Sequence, residues 1–159
     1  MNMRRKDRQV ESREEIDAII VGSEVCRLAL SVDDAPYLVP LSFGYDGASI
    51  YIHTARRGKK IEYFEANNRV CFEFERNVQF VRNMGGACES TFRFETVIGY
   101  GTIGELVNPD EKVYALSQIS RQYTEAQPDF DRDAVDKVRT WKISIESVEG
   151  KRLPGKDVT

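Results

Sequence analysis

The scarcest residues in this chain already exclude several classes of protein. Histidine occurs once and cysteine three times in 159 residues. His53 and three scattered cysteines (Cys26, Cys71 and Cys88) give no metal-ligand spacing, so we expect no metal site. An odd number of widely spaced cysteines is also unlike a disulfide framework, and it favours a reducing cytoplasm.

Long apolar runs and an excess of positive charge are absent as well. No run approaches the ~20 apolar residues that span a bilayer, and the start of the chain has no secretory signal pattern, so we expect no membrane contact. A formal net charge of −3 argues against a general nucleic-acid binder. Residues 1–10 form a basic arm, which we interpret as a solvated or surface-packed terminus. Nucleic-acid binding through this arm is the alternative, and it predicts a salt-dependent affinity that disappears when residues 1–8 are deleted.

The hydrophobic periodicity is mostly that of β-strands. Alternating apolar and polar residues predict strands over 24–32, 37–43, 48–54, 70–75, 91–104 and 138–148, with a hairpin at Asp46-Gly47. Segment 76–90 looks irregular. Antiparallel strands interrupted by single helices predict a mainly β, Greek-key type barrel with a few peripheral helices. We expect one domain over 1–159, with 151–159 as a loose tail.

Helix signals stand at four places. Ser12 and Glu15 form a capping box that opens a helix ending near Gly22. Asn108 and Pro109 open a second helix that runs to about residue 123. Residues 60–67 and 131–137 are predicted to form two shorter helices.

The segment HTARRGKK, residues 53–60, is the most informative stretch. It follows a strand and leads into a predicted helix, so Arg56, Arg57, Lys59 and Lys60 cluster at a helix N-terminus. Aligned peptides already contribute about half a positive charge there, and acidic residues would be the stabilising choice. An anion held by the free backbone N–H groups makes the cations favourable, so this cationic turn (residues 56–60) predicts a phosphate-binding site. The alternative is that all four side chains point into water.

Three further patterns bear on chemistry. Residues 99–104, GYGTIG, match the G-x-G-x-x-G dinucleotide pattern, but no helix opens from them, so we expect a strand with a bend or a close approach. His53 shares a predicted strand face with Ser49 and Tyr51, and it either faces a ligand or is a satisfied polar side chain. Cys88 is interpreted as a packed or redox-idle thiol, because the sequence places no base beside it.

Six segments follow one another in an order that is typical of one protein family. They are RRKDR, CRLAL, PYLVPLSFGYDG, IYIHTARRGKK, VCFEF and FETVIGYG. Together they resemble the pyridoxamine 5′-phosphate oxidase-like, FMN-binding split-barrel proteins, and within that superfamily the chain is most similar to the nitroimidazole-resistance proteins. The resemblance covers residues 4–150. It implies an FMN-binding split β-barrel that forms a homodimer, with FMN in the cleft between the two barrels.

The resemblance also implies a set of cofactor contacts. Carried onto this sequence, these are Val39, Pro40, Leu41 and Ser42 along the flavin ring, His53 and Thr54 beside it, Lys59 and Lys60 on the phosphate, Trp141 flanking the ring, and Arg93 and Thr96 of the partner subunit. Trp141 also fits a core position, because it lies on an apolar strand face.

The chain departs from the true pyridoxamine phosphate oxidases. Pro40 stands in a strand where the oxidases keep a hydrogen-bonding residue, and their longer arginine-bearing first FMN strand and C-terminal substrate segment are missing. The closer analogy is an FMN-dependent oxidoreductase that takes hydride from NADH or NADPH and reduces a small nitroaromatic acceptor. His53 is the expected catalytic residue, as a hydrogen-bond donor to flavin or substrate and a source of a proton. The alternative is a non-catalytic binder of a flavin, a deazaflavin or haem.

Overall fold

The computed structural model describes residues 5–82, 90–125, 130 and 135–153. Strands dominate these residues: β1 (Gln9–Val10), β2 (Cys26–Val32), β3 (Ala35–Leu41), β4 (Gly44–Tyr45), β5 (Ser49–Thr54), β6 (Arg69–Val81), β7 (Thr91–Leu106) and β8 (Arg139–Leu153). The α-helices are α1 (Arg13–Val21), α2 (Lys59–Ala66) and α3 (Pro109–Tyr123), and Lys6–Arg8 form a 3₁₀ turn. The predicted mainly β architecture with peripheral helices is confirmed.

The strands form one antiparallel sheet that rolls up without closing. Its order is β3-β2-β6-β7-β8-β5-β4. β7 pairs along one side of β8, while β5 and β1 pair with the two ends of its other side. β3 and β4 end the strand order without pairing with each other, although only Ser42 and Phe43 separate them in the chain. The barrel is therefore split beside these two residues.

The inner face of the sheet holds the hydrophobic core. Cys26 and Leu28 of β2 stand opposite Phe74 and Phe72 of β6, and all four side chains are fully buried. The ring of Phe43 packs on Phe74 with centroids 4.7 Å apart. Burial of a large apolar side chain stabilises a fold by roughly 1.5–3 kcal/mol, so these contacts anchor the split edge of the barrel.

Two helices begin where local capping predicts. The Ser12 hydroxyl accepts a hydrogen bond from the Glu15 backbone N–H at 3.3 Å. The Asn108 carboxamide oxygen accepts from the Asp110 N–H at 2.8 Å, and Pro109 occupies the first helical position. Each cap satisfies a donor that the helix itself leaves open, which explains why these boundaries are visible in the sequence.

Helix α3 covers the outer face of β4 and β5. Ala115 and Ile119 pack on Tyr51, and the backbone of α3 approaches Gly44 so closely that a Cβ there would lie 2.4 Å from the Ile119 nitrogen. Ser49 and Tyr51 are consequently buried, although they lie on the face of β5 opposite to its core-facing residues. Of the face predicted to carry His53, only the His53 end stays open.

A buried carboxylate joins three of the long strands. Glu95, 9% exposed, accepts hydrogen bonds from Arg76 Nε at 2.7 Å, Asn77 Nδ2 at 2.7 Å and Arg152 Nε at 2.6 Å. Arg152 also pairs with Glu15 of α1 at 3.0 Å. Glu95, Arg76, Asn77 and Arg152 are called the Glu95 cluster below. They fix β6, β7 and β8 together where β6 bulges.

The structure differs from the expected boundaries at two strands. Segment 76–90 was expected to be irregular, and for residues 76–81 this is wrong, because pairing with β7 resumes after the bulge and carries β6 to Val81. β8 extends to Leu153, three residues into the expected loose tail, because Lys151 pairs with both Gln9 and Thr96. Cys88, most of the predicted helix 131–137 and residues 154–159 lie outside the described residues.

The GYGTIG segment lies within β7, as the strand interpretation expects. A Cβ at Gly99 would lie 2.3 Å from the Phe72 ring, and one at Gly101 would lie 2.3 Å from the Ser144 carbonyl oxygen. The pairing register between β7 and β8 shifts between Tyr100 and Gly101. These glycines permit close packing inside the sheet, and they form no nucleotide-binding loop.

Candidate functional site

The end of β5 leads through residues 55–58 into the start of α2, and this part of the chain packs against β3, an edge strand at the split of the barrel. The ammonium of Lys59 lies over the rings of Tyr37 and Tyr63, 4.7 and 5.6 Å from their centroids. The two tyrosine rings are themselves 5.2 Å apart. Because Tyr37 belongs to β3 and Tyr63 to α2, this contact holds the cationic turn against the strand that carries residues 39–41.

The start of α2 has an open backbone. Gly58 is the N-cap, at φ 143°, and no side chain caps the helix. The Gly58 carbonyl accepts from the N–H groups of Ile61 and Glu62 at 2.9 and 3.3 Å, which is ordinary helical pairing. The first N–H groups of the helix are therefore available to an anion, and the backbone conformation at residue 58 requires glycine.

The four cations of this turn have different neighbours. Arg56 donates to the Asp136 backbone carbonyl, and Lys59 is held by the two tyrosine rings. Within the described ranges, no carboxylate lies in ion-pair distance of Arg57, Lys59 or Lys60. Lys60 is the most buried of the four. The predicted clash of cations with the helix N-terminus is thus left without an internal counter-charge.

His53 lies at the exposed end of β5, beside this turn. Partial desolvation lowers the pKa of its imidazole below the usual 6.5, and the Lys60 ammonium lowers it further. A neutral imidazole carries one N–H donor and one acceptor nitrogen, so His53 can donate a hydrogen bond at neutral pH and accept another. The coupling to Lys60 brings the predicted catalytic residue and the predicted phosphate ligand into one site.

Thr54 and Trp141 occupy the interior behind the site. Trp141 is 3% exposed, and its indole N–H donates to the Thr54 hydroxyl oxygen at 3.0 Å. The Thr54 hydroxyl in turn donates to the Ala55 carbonyl at 2.9 Å. The Trp141 ring packs on Phe64 of α2, with centroids 5.0 Å apart. This packing supports the core alternative for Trp141.

Residues 39–42 present two kinds of surface. Val39 faces the core and Leu41 is half-buried, whereas Pro40 and Ser42 are exposed. β3 pairs only with β2, so its other edge carries backbone groups that face away from the sheet. An edge of this kind offers N–H and C=O groups to a planar polar ligand. Pro40 contributes no N–H, but its carbonyl remains.

Tyr123 supports this segment through long-range hydrogen bonds that the sequence did not predict. Its hydroxyl accepts from the Phe43 backbone N–H at 3.0 Å and donates to the Glu24 carbonyl at 2.9 Å. The phenol therefore ties the last turn of α3 to the chain directly after Ser42. No local pattern marks this role, because the partners are 80 and 99 residues away.

Arg93 and Thr96 lie on β7, with Thr96 on the outer face of the sheet and Arg93, three residues before it, on the opposite face. Arg93 is exposed opposite Gln79. The Thr96 hydroxyl lies 2.9 Å from the Phe74 carbonyl and 3.1 Å from a Glu73 carboxylate oxygen. The structure of one subunit does not join them to the β3, β5 and α2 group, which is consistent with the expectation that they act from a partner.

Large apolar side chains remain exposed on the same outer face. Leu38 is 61% exposed, Ile98 41%, and Phe80 and Phe92 each 52%. The Phe80 and Phe92 rings stand side by side, with centroids 5.3 Å apart, on the two-stranded end of β6 and β7. Of these side chains, Phe80 and Phe92 are the pair in direct contact, and they form a small exposed apolar cluster.

Three clefts in the described surface are lined by residues outside the candidate site. The largest, about 490 Å³, lies between the end of α1 and the β6 bulge, a second of about 420 Å³ lies beside Cys71, and a third of about 280 Å³ lies under the start of α3. The residues at the barrel split form an open surface in one subunit. No helix among the described residues is long and apolar enough to cross a bilayer.

Comparison with known sequences gives one family. The family described as pyridoxamine 5′-phosphate oxidase matches residues 12–152, which includes every strand from β2 onward and all three helices. An uncharacterised protein of Rhizobium meliloti is 33% identical over 75 residues, 45% of this chain. The chain matches about half of that relative, 49% of its length.

Solved structures give the same fold. A protein from Bacteroides thetaiotaomicron, described as a candidate 5-nitroimidazole antibiotic resistance protein, is 30% identical with a TM-score of 0.81, over 91% of this chain and 86% of that one. An FAD- and haem-binding protein from Mycobacterium smegmatis has a TM-score of 0.83 at 18% identity, over 93% and 74% of the two chains. An FAD-binding protein from Mesorhizobium loti has a TM-score of 0.68 at 24% identity, over 92% and 98%. The resemblance inferred from the sequence motifs is confirmed.

Proposed function

Because this chain belongs to the pyridoxamine 5′-phosphate oxidase family, we propose that it is an FMN-dependent oxidoreductase that reduces a small nitroaromatic acceptor. The convergence of the β3 edge, His53 and the cationic turn is the observation that carries this proposal. The chemistry that a bound flavin supplies is electron transfer from NADH or NADPH to the acceptor. The protein's own residues hold the cofactor, orient it and handle the proton.

The phosphate end of the cofactor fits the start of α2. Lys60 and the first N–H groups of the helix are the donors that we assign to it, because no carboxylate in the described part of the chain pairs with Lys60. Lys59 makes a second, weaker contribution to phosphate binding, since its ammonium is already held over Tyr37 and Tyr63. Charge-assisted hydrogen bonds from Lys60 are therefore the main anchor.

The ring end of the cofactor fits the edge of β3. A flavin has a polar edge that donates and accepts hydrogen bonds, and the free edge of residues 39–42 offers matching backbone groups. The exposed side chains of Pro40 and Ser42 flank that edge. Thr54 contributes through its backbone, because its hydroxyl is used by Trp141 and Ala55.

His53 is the residue that we assign to proton transfer. Its lowered pKa favours the neutral imidazole at pH 7, which donates one hydrogen bond through its N–H and can pass that proton on only while its other ring nitrogen takes one up. The Lys60 ammonium acts on its imidazole, which supports assigning His53 and the phosphate ligand to one site.

A second copy of the chain completes the site in this proposal. The barrel split forms an open surface in one subunit, whereas a flavin ring needs walls on both faces. The exposed Leu38, Ile98, Phe80 and Phe92 supply apolar surface for a homodimer, and the outer face of β7 between Phe92 and Ile98 also carries Thr96. We place the protein in the cytoplasm, where Cys26 and Cys71 stay reduced as the free thiols that they are here.

The first test is the visible absorption spectrum of the purified full-length protein, with the released chromophore identified by mass. FMN is the expected chromophore. FAD would retain the site but change the ligand, and a protein that is colourless and fails to bind added flavin would contradict the proposal.

Two matched double variants locate the site. Lys59→Ala with Lys60→Ala should weaken FMN binding at least ~30-fold, since each charge-assisted bond contributes roughly 1.5 kcal/mol or more. Lys6→Ala with Arg8→Ala removes the same charge from the N-terminal turn and should leave FMN binding unchanged. Equal losses in both would show that net charge, and not the start of α2, governs binding.

Turnover separates the enzyme from a carrier. His53→Ala should lower kcat for nitroaromatic reduction ~100-fold while changing the FMN dissociation constant far less. A protein that holds a flavin, a deazaflavin or haem tightly but reoxidises neither NADH nor NADPH with any acceptor would be a binding protein instead.

A further inference from the structure

One buried side chain beside His53 has an unused hydrogen-bonding group. Thr140 is 0% exposed, and its hydroxyl has no hydrogen-bond partner in the part of the chain that the structure describes. A buried hydroxyl without a partner is costly, whereas valine has nearly the same shape and no such cost. A threonine here therefore calls for a partner that completes its hydrogen bonding.

A neighbouring threonine shows what satisfied pairing looks like in this sheet. Thr54 is 3% exposed, and its hydroxyl both accepts from the Trp141 indole N–H and donates to the Ala55 carbonyl. Thr54 faces the core, whereas Thr140 lies on the other face of the sheet, next to Trp141 in β8. The two hydroxyls thus differ in pairing and not in burial.

The strand register places one titratable residue, His53, directly opposite Thr140. His53 belongs to β5, and Leu106 of β7 stands on the other side of Thr140. Side chains directly opposite each other in an antiparallel pair have Cβ atoms about 5 Å apart. The two side chains make no hydrogen bond in the structure. At this Cβ separation, a change of side-chain rotamer or one bridging water molecule would join an imidazole nitrogen of His53 to the Thr140 hydroxyl.

We propose that the Thr140 hydroxyl donates a hydrogen bond to the unprotonated ring nitrogen of His53, directly or through one water molecule, and so positions the imidazole. Thr140 is then a positioning residue: it sets which nitrogen of His53 carries the proton and which way that N–H points. The role in catalysis rests on the proposed function, because it uses the proton transfer assigned to His53. The contact between the two side chains does not.

Several charged groups surround this pair. Lys60 of α2 is the one that acts on the imidazole. Lys142 lies on the same face of β8, two residues from Thr140, and opposite Tyr51. Lys112 of α3 is paired with Asp136 at 3.7 Å. Desolvation and the Lys60 ammonium therefore favour the neutral imidazole that the proposed hydrogen bond requires.

The single histidine makes the test direct, because every imidazole NMR signal of the full-length protein belongs to His53. The pKa and the tautomer of His53 are measured by NMR titration in the wild type, in Thr140→Val and in Thr140→Ser. Donation to a ring nitrogen stabilises the neutral form, so Thr140→Val should raise the pKa of His53 by ~0.5 unit or more and mix the two tautomers. Thr140→Ser keeps the hydroxyl and should restore both values.

A purely structural threonine gives a different result. If the Thr140 hydroxyl has no partner, Thr140→Val leaves the pKa and tautomer of His53 unchanged and raises Tm, because an unpaired buried polar group has been removed. That outcome overturns the proposal. Thr140→Ala also removes the hydroxyl, and it serves the same comparison if the valine variant does not fold.

The readouts keep this inference separate from the proposed function. The NMR titration needs neither flavin nor substrate, so an altered His53 in a protein that never binds flavin supports the contact and rejects the oxidoreductase. If turnover occurs, the pH profile of kcat should shift with the measured pKa of His53 in Thr140→Val, and an unshifted profile would reject the positioning role.

Discussion

Two groups of positive side chains in this protein are treated in opposite ways. In the Glu95 cluster, Arg76 and Arg152 converge on one buried carboxylate at 2.7 and 2.6 Å. In the cationic turn, Arg57 and Lys60 stand at a helix N-terminus with no carboxylate in ion-pair distance in the described residues. The first group has its counter-charge inside the fold. For the second group we propose that a bound phosphate supplies it, and without that ligand the cations at the helix N-terminus carry a small electrostatic cost.

The largest expected effect is the loss of the central carboxylate. Glu95→Ala leaves two arginines and Asn77 without their acceptor in a half-buried place, so the free energy of unfolding should fall by about 3 kcal/mol. Urea denaturation measures it. The control is Glu146→Ala, which removes an exposed partner of Arg69 at 3.5 Å and should cost at most ~0.5 kcal/mol. Equal costs would mean that the two pairs do not differ in kind.

Charge reversal in the cationic turn should have two opposite effects. Lys60→Glu places an acid at the start of α2, so the flavin-free protein should gain about 0.5 kcal/mol of stability from the helix dipole. The same change should weaken FMN binding ~100-fold, because it replaces the main phosphate donor by a like charge. Thermal unfolding without flavin and a fluorescence titration with FMN measure the two quantities. Lys6→Glu changes the net charge equally and should alter neither.

A stabler but flavin-deficient Lys60→Glu protein would sharpen the comparison between the two groups. A destabilised Lys60→Glu protein would instead show that Lys60 stabilises the fold, and this result would contradict the assignment of the cationic turn as a ligand site.

The acid limb of stability should depend on Glu95. Burial by itself raises the pKa of this carboxyl, but hydrogen bonds from Arg76, Arg152 and Asn77 outweigh it, and the net pKa lies below the usual 4.5. A carboxyl with a lowered folded-state pKa contributes stability that is fully present above pH ~4.5 and lost as the pH falls through the folded value. Urea midpoints between pH 7 and pH 3 should therefore fall less steeply in Glu95→Gln than in the wild type. Parallel curves would contradict the assignment.

The smallest effect concerns salt. Raising the ionic strength from about 0.05 M to about 0.5 M should weaken FMN binding severalfold, because the cationic turn is exposed and unpaired. The stability difference between wild type and Glu95→Ala should change much less, since Glu95 is 9% exposed and screened less by ions. Equal sensitivity would erase the distinction between an open and a closed charge cluster.

Sequence reasoning worked best where the partners are close in the chain. The caps at Ser12 and Asn108, the strand with His53 and the start of the helix at Lys59 all follow from neighbours within a few residues. The prediction of an irregular segment was wrong for residues 76–81, because the pairing of β6 with β7 beyond the bulge cannot be seen in the local sequence.

The candidate site divides in the same manner. The cluster of positive side chains at a helix N-terminus was predictable, because both the charges and the helix start are set by neighbouring residues. Lys59 was assigned to phosphate on equal terms with Lys60, but its contact with Tyr37 depends on how α2 packs on β3. The support of Phe43 by Tyr123 and the pairing of His53 with Thr140 depend on register between distant segments.

By itself, the sequence determined most of the strand and helix content, the family, and the place of the cationic turn to which we assign anion binding, because periodicity, capping and charge at a helix end are local physics. Only the tertiary structure decided which cations are free and which are paired, that Trp141 is buried behind the site, and that an unpartnered threonine faces the single histidine. Those outcomes follow from strand register and packing, which bring together residues that no short segment of the chain can relate.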